Sequence, residues 1–189
     1  MIYSMKIGLH SKPSSITLHL IFFIFEKDTL AGSPLFKFLN AEEREYLTKI
    51  KAGSDTAEKE AKLLVMPGTG RKIILTGTGA EKAFTAVKAG VAMRIAVQTA
   101  KREKIKTFGF WAETPKKSGE TINFYETVAV NAFMANFEFV KYKTPPKEGF
   151  NFVEEIEAIA GTPNKDVADG IRRGAIIGEE INNCRDLAN

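Results

Sequence analysis

Residues 71–104, RKIILTGTGAEKAFTAVKAGVAMRIAVQTAKREK, decide how the rest of the chain is read. Ile73, Ile74 and Leu75 form a short apolar run, the pattern of a strand buried on both faces. The run ends in Gly77-Thr78-Gly79 and passes straight into a segment in which Ala80, Ala83, Val87, Gly90, Arg94 and Val97 keep a helical step. Its many Ala and Gly residues let that helix lie close to a sheet. A strand leading directly into a helix is the unit from which α/β folds are built.

Upstream, Leu63 to Met66 is a second apolar run, separated from the first by the Pro67-Gly68-Thr69-Gly70 turn cluster, so the two are expected to pair across a tight loop. Before it, Asn40 and Glu43 make a capping box that opens a short amphipathic helix, with Leu47 and Ile50 on its inner face and Gly53 placed to end it. The start of the chain offers a short strand at Met5 to Leu9 and a long apolar one from Ile16 to Phe25. Downstream, 105–113 reads as a strand and 114–120 as a loop. Residues 121–139 read as a helix with Tyr125, Val128, Ala132, Ala135 and Phe139 on one face. A polar, proline-bearing loop and a last strand within 150–161 lead to a final helix that Thr162 caps and Pro163 begins. Along that helix Val167, Ile171, Gly174, Gly178, Ile181 and Arg185 define one face. Apolar strands alternating with helices imply an α/β sheet covered on both faces.

With 44% hydrophobic and 26% charged residues, the 189-residue chain has the composition of an ordinary globular domain with a core of its own. Lys+Arg 27 against Asp+Glu 23 gives a net charge of +4, far below the electrostatic footprint of a nucleic-acid binder. Cys184 is the only cysteine, which excludes an internal disulfide and suits a reducing compartment; beside Ile181 and Leu187 it reads as a packing residue. The apolar stretch from Ile16 to Phe25 is too short to span a bilayer and is followed directly by Glu26, Lys27 and Asp28, which disfavours a signal peptide. A cytoplasmic protein is expected.

No pattern in the sequence assigns chemistry to a residue. Gly77-Thr78-Gly79 is the best local candidate for cradling a phosphate. The dinucleotide fingerprint, however, needs a third glycine where Lys82 stands, and the Gly68 to Lys72 cluster lacks the spacing of a P-loop. The acidic pairs Glu42-Glu43, Glu154-Glu155 and Glu179-Glu180 are sequence neighbours, whose side chains point apart on a helix or a strand. His10 and His19 have no carboxylate at ligand spacing. Trp111 with Phe108 and Phe110 would offer a base-stacking surface, but alternating aromatics on a strand ordinarily belong to a core. Catalytic, cofactor-binding and metal-binding residues are all expected to be absent.

The succession of RKIILTGTG (71–79) into an alanine-rich helix, IKTFGFWAE (105–113), ETVAVNAFMANFEFVKYKT (126–144) and GIRRGAIIGEEINNCRDLAN (170–189) resembles the amino-terminal domain of the leucyl (cytosol) aminopeptidase family. The most specific pieces are Ile73 to Gly79, FEFVKYKT (137–144) and the closing RDLAN (185–189). The resemblance implies a three-layer α/β fold, a mixed central sheet with helices on both faces, similar to the macro domains that bind ADP-ribose. It divides the chain into an α/β domain over 1–162 and an interdomain helix over 163–189 that leads to a catalytic domain not contained in these residues. That catalytic domain would hold two divalent metals, zinc or manganese, and every residue that binds them. The implied partners are this catalytic domain and the other subunits of a hexamer, with no membrane. The implied role is non-catalytic support of assembly and active-site access in an enzyme that removes amino-terminal residues from peptides. An ADP-ribose- or nucleotide-binding module, or a DNA-binding one, is the alternative. If the last helix packs against a further domain, Ile177, Ile181 and Leu187 should be partly exposed.

Overall fold

A computed structural model describes residues 5–14, 19–26, 28–51, 55–112, 121–162 and 164–188. Six strands, β1 (Lys6–His10), β2 (His19–Phe25), β3 (Ala61–Val65), β4 (Lys72–Gly79), β5 (Thr107–Trp111) and β6 (Glu155–Ile159), form one sheet in the order β1-β6-β5-β2-β4-β3. Only β3 runs antiparallel, against β4; every other pairing is parallel, so the sheet is mixed. The four helices are α1 (Ala41–Lys49), α2 (Ala86–Arg102), α3 (Thr121–Asn136) and α4 (Lys165–Leu187).

Strand alternation divides the core in two. Ile21 and Ile74, with Phe108 and Phe110 on β5 and Ile156 and Ala158 on β6, face one way and pack under α2, α3 and α4. Leu20, Phe22 and Ile24, with Ile73, Leu75 and Ile159, face the other way and meet Leu30, Leu35, Leu39, Leu47 and Met66 from the α1 side. Helices therefore cover both faces, three on one and a single short one on the other. The exposed charged residues of α1 complete the solvated surface on that side.

Local chemistry explains most element ends. The expected capping box is present: Asn40 accepts from the Glu43 N–H and Glu43 from the Asn40 N–H. Lys51, with φ 49°, takes the left-handed position after α1, while Gly53 lies outside the described residues. Ile50, expected on the inner face, is 41% exposed because the helix ends at Lys49 and turns it outward. The helix expected directly after Gly79 begins later. A single 3-10 turn at Glu81–Ala83 intervenes, and Thr85 caps α2 through the Lys88 N–H. Of the residues at the helical step, Val87 is 70% exposed, whereas Gly90 and Val97 are buried.

Helix α3 stops at Asn136, so Phe139 lies beyond it. Asn136 ends the helix in the core, donating to the Val153 carbonyl and accepting from the Val153 N–H, both at 2.8 Å. Helix α4 is capped by Asn164, two residues later than expected, through the Asp166 N–H; Pro163 lies outside the described residues. So do Ile16 to Leu18 at the head of the long apolar run and the loop at 114–120.

Candidate functional site

The glycine turn singled out in the sequence is closed rather than open. β4 extends through Gly79, and Gly77 exchanges backbone hydrogen bonds with the 57–60 segment, accepting from Lys59 and donating to Glu60. A Cβ at Gly77 would lie 1.8 Å from the Ala57 carbonyl oxygen, so only glycine permits this approach. Gly79 has φ 76°, and the Glu58 carboxylate, paired with Lys88 at 2.9 Å, sits over it. A carboxylate in that position repels a phosphate. The Gly68 to Lys72 cluster is the β3–β4 turn, with Gly68 and Gly70 both at positive φ.

Strand order points instead to the carboxyl ends of β2 and β5. The chain leaves β2 towards the α1 face and β5 towards the α3 face, and open α/β sheets hold ligands at such a divergence. A crevice of about 520 Å³ lies there, walled by Phe25, Phe84, Phe124, Trp111 and Tyr125. Phe84 meets Phe25 edge-on at 5.0 Å and Phe124 at 5.8 Å, while the Tyr125 hydroxyl donates to the Ala112 carbonyl. Phe108 and Phe110 point into the core under the helices, while Trp111 points to the opposite face, with the Lys37 ammonium 5.1 Å from its ring centre. The three aromatics thus make no common stacking surface. Asp28 lines the crevice, its carboxyl held above the usual range by burial and by nearby Glu81. Among the described residues its lining carries this one carboxyl and no Lys, Arg or His to meet a phosphate.

The acidic pairs separate as expected. Glu42 is exposed while Glu43 is buried, accepting from Thr69 Oγ1 at 2.8 Å and pairing with Arg71 at 3.3 Å. Glu179 and Glu180 are exposed on α4, and Glu154 pairs with Lys106. His19 is structural: its Nδ1 accepts from the Lys72 N–H at 3.0 Å, and burial, then Lys72 and Arg71, hold its pKa below the ordinary value. Cys184 is exposed, not packed, because it falls on the outward side of α4.

Sequence spacing offers His10 no carboxylate, but the sheet supplies two. Its ring and the side chains of Glu155 and Glu157 bring one ligand atom each to within 4.8 Å of one another. The pairing of β1 with β6 joins residues far apart in the chain, which local spacing does not register. These three are the only such grouping of His, Cys, Asp and Glu among the described residues.

Helix α4 has one side seated on α3 and one side that faces solvent. Gly170, Gly174 and Gly178 seat it against α3, where a Cβ would come within 2.4–2.5 Å of Ile122 O, Glu126 O or Phe133 Cβ. The outward side presents Ile176 (55% exposed), Ile177 (38%) and Leu187 (87%), with Ile181 half-buried. Ile176, Ile177 and Ile181, with Cys184, Ala188 and the side chains of Glu180 and Arg185, line a shallow, mostly apolar groove. No helix among the described residues is long and apolar enough to cross a membrane.

Comparison with known proteins agrees with this architecture. The bottromycin maturation enzyme BotP aligns over 92% of this chain and 33% of its own, at 16% identity and a TM-score of 0.63. A second structure of that enzyme, in complex with Mn, aligns over 90% and 31% at a TM-score of 0.60, with 16% identity. A mutant of tomato leucine aminopeptidase aligns over 90% and 36%, at 18% identity and a TM-score of 0.64. The chain thus spans about a third of the length of these relatives. No curated protein matches it by sequence. Residues 21–146 match the model of the cytosol aminopeptidase family, N-terminal domain, and the chain therefore belongs to that family through this domain.

Proposed function

We propose that this chain is the non-catalytic amino-terminal domain of a dinuclear metal-dependent leucyl aminopeptidase, a cytoplasmic hexamer that removes amino-terminal residues from peptides. In this reading the fold of residues 1–162 supports the assembly and shapes access to an active site carried by a separate catalytic domain. Residues 163–189 connect the two. The observation that carries the reading is the family match over 21–146, joined to a fold that its relatives use for only a third of their length. The exposed apolar side of α4 is the surface on which the catalytic domain would rest.

The residues described here do not fit a dinuclear centre. Two ions about 3.5–4 Å apart need bridging carboxylates and more ligands than one histidine and two glutamates supply. In this reading the metals of the parent enzyme, zinc or manganese, belong to its catalytic domain, where they would activate water and polarise the scissile carbonyl. The alternative, a nucleotide, ADP-ribose or DNA module, draws support only from the position of the aromatic crevice, and its acidic lining opposes it.

Hydrolysis of leucine p-nitroanilide with added Mn²⁺ or Zn²⁺ tests the proposal, using the chain alone and the chain co-expressed with the remainder of its parent polypeptide. Activity confined to the second sample is expected. Turnover by the purified chain alone would overturn the non-catalytic assignment.

A further inference from the structure

We propose that His10, Glu155 and Glu157 bind one divalent transition-metal ion on the α1 side of the sheet, clipping the edge strand β1 to β6. This inference does not depend on the enzymatic reading of the parent. Parallel pairing sets Gly8 opposite Glu157 and Lys6 opposite Glu155, so the two glutamates, two apart on β6, share a face with Gly8 and His10. His10 Nε2 lies 2.6 Å from where a Cβ at Gly8 would stand. The imidazole is thus folded back along its own strand, over the glycine and alongside Glu157. Any side chain at position 8 would push it away.

The distances suit an ion. Ligand atoms on a common metal at about 2.0–2.2 Å are roughly 3–4.4 Å apart, depending on geometry. The three here lie within 4.8 Å of one another, so small side-chain rotations close them on one cation. Glu157 is 1% exposed and Glu155 half-buried, so the sheet holds both carboxylates close to fixed positions. The Ser14 N–H donates to Glu157 Oε2 at 2.9 Å, the kind of contact that orients a ligating carboxylate. One imidazole nitrogen and two carboxylate oxygens select zinc, manganese, cobalt or nickel over magnesium and calcium, which favour all-oxygen sites. Three protein ligands leave a coordination position for water.

The competing account holds the three side chains together without a metal. To separate the two, chelator-treated chain carrying Cys184→Ser, which removes the exposed thiol, would be titrated with Zn²⁺ and Co²⁺ by calorimetry and thermal unfolding. One ion per chain and a raised Tm are expected, with Co²⁺ giving visible absorption of a mixed nitrogen–oxygen site. Gly8→Ala keeps all three ligands but displaces the ring, and should weaken binding about tenfold or more, as should His10→Ala and Glu157→Gln. His19→Asn should leave binding unchanged. Absence of saturable binding would overturn the proposal, as would binding indifferent to both Gly8→Ala and His10→Ala.

Discussion

At the scale of single residues, close backbone approach governs this chain more than side-chain chemistry does. Gly174 is the clearest case. In an exposed helix, Gly to Ala gains about 1 kcal/mol of helix propensity. Here the added methyl would lie 2.4 Å from the Glu126 carbonyl oxygen and 2.7 Å from Ala129 Cβ, both on the body of α3, where no flexible side chain can yield. Overpacking of this kind costs roughly 1–3 kcal/mol, and parting the helices breaks the neighbouring contacts at Gly170 and Gly178 as well. Gly174→Ala should therefore lower the denaturation midpoint. Gly32→Ala, whose Cβ would meet nothing within 4 Å, should leave it within error in the same urea titration. A Gly174→Ala protein as stable as the parent would show that the two helices have room to part.

Among elements, the fastening of α1 separates what local sequence encodes from what it does not. The capping box at Asn40 and Glu43 is legible because both partners lie within one turn. The second role of Glu43 is not. Its other oxygen accepts from Thr69 and faces Arg71 on the β3–β4 hairpin, a contact that exists only once the sheet has formed. Removing the Asn40 side chain should cost about 1 kcal/mol, the ordinary worth of a cap. Glu43→Ala removes the reciprocal cap and leaves Thr69 and the partly buried Arg71 without their acceptor, for a loss of about 2–4 kcal/mol. Chemical denaturation of the two variants checks the order, and equal losses would reduce Glu43 to its capping role. The same limit explains the rest of the reading. Strand and helix types followed from periodicity over β4, α2, β5 and α3, and the sheet's α/β class followed from their alternation. The start of α2 did not, because the turn at Glu81–Ala83 interrupts an alanine-rich run without any break in its composition. The His10 cluster was invisible for a topological reason: its members meet through the pairing of the first strand with the last.

For the whole molecule, the question is what α4 does with two faces that differ so much. Its inner face is committed to α3 through the glycine contacts and through Asn182, which donates to the Phe133 carbonyl at 2.9 Å. Its outer face carries Ile176, Ile177 and Leu187 into solvent, beside a mostly apolar groove. Apolar area left in water costs about 25 cal/mol per Å², so such a stripe drives association with whatever apolar surface it can reach. In the proposed parent that surface is the catalytic domain. In the chain alone it is a second copy or a hydrophobic dye. Light scattering after size exclusion should therefore show concentration-dependent self-association of the chain. The double variant Ile176→Lys/Leu187→Lys should suppress it while leaving Tm nearly unchanged, because these side chains are already 55% and 87% exposed. The same variant should weaken assembly with the remainder of the parent polypeptide. If instead the chain is monomeric at every concentration and the lysines do not disturb assembly, the outer face of α4 is plain surface, and the contact with the catalytic domain lies elsewhere.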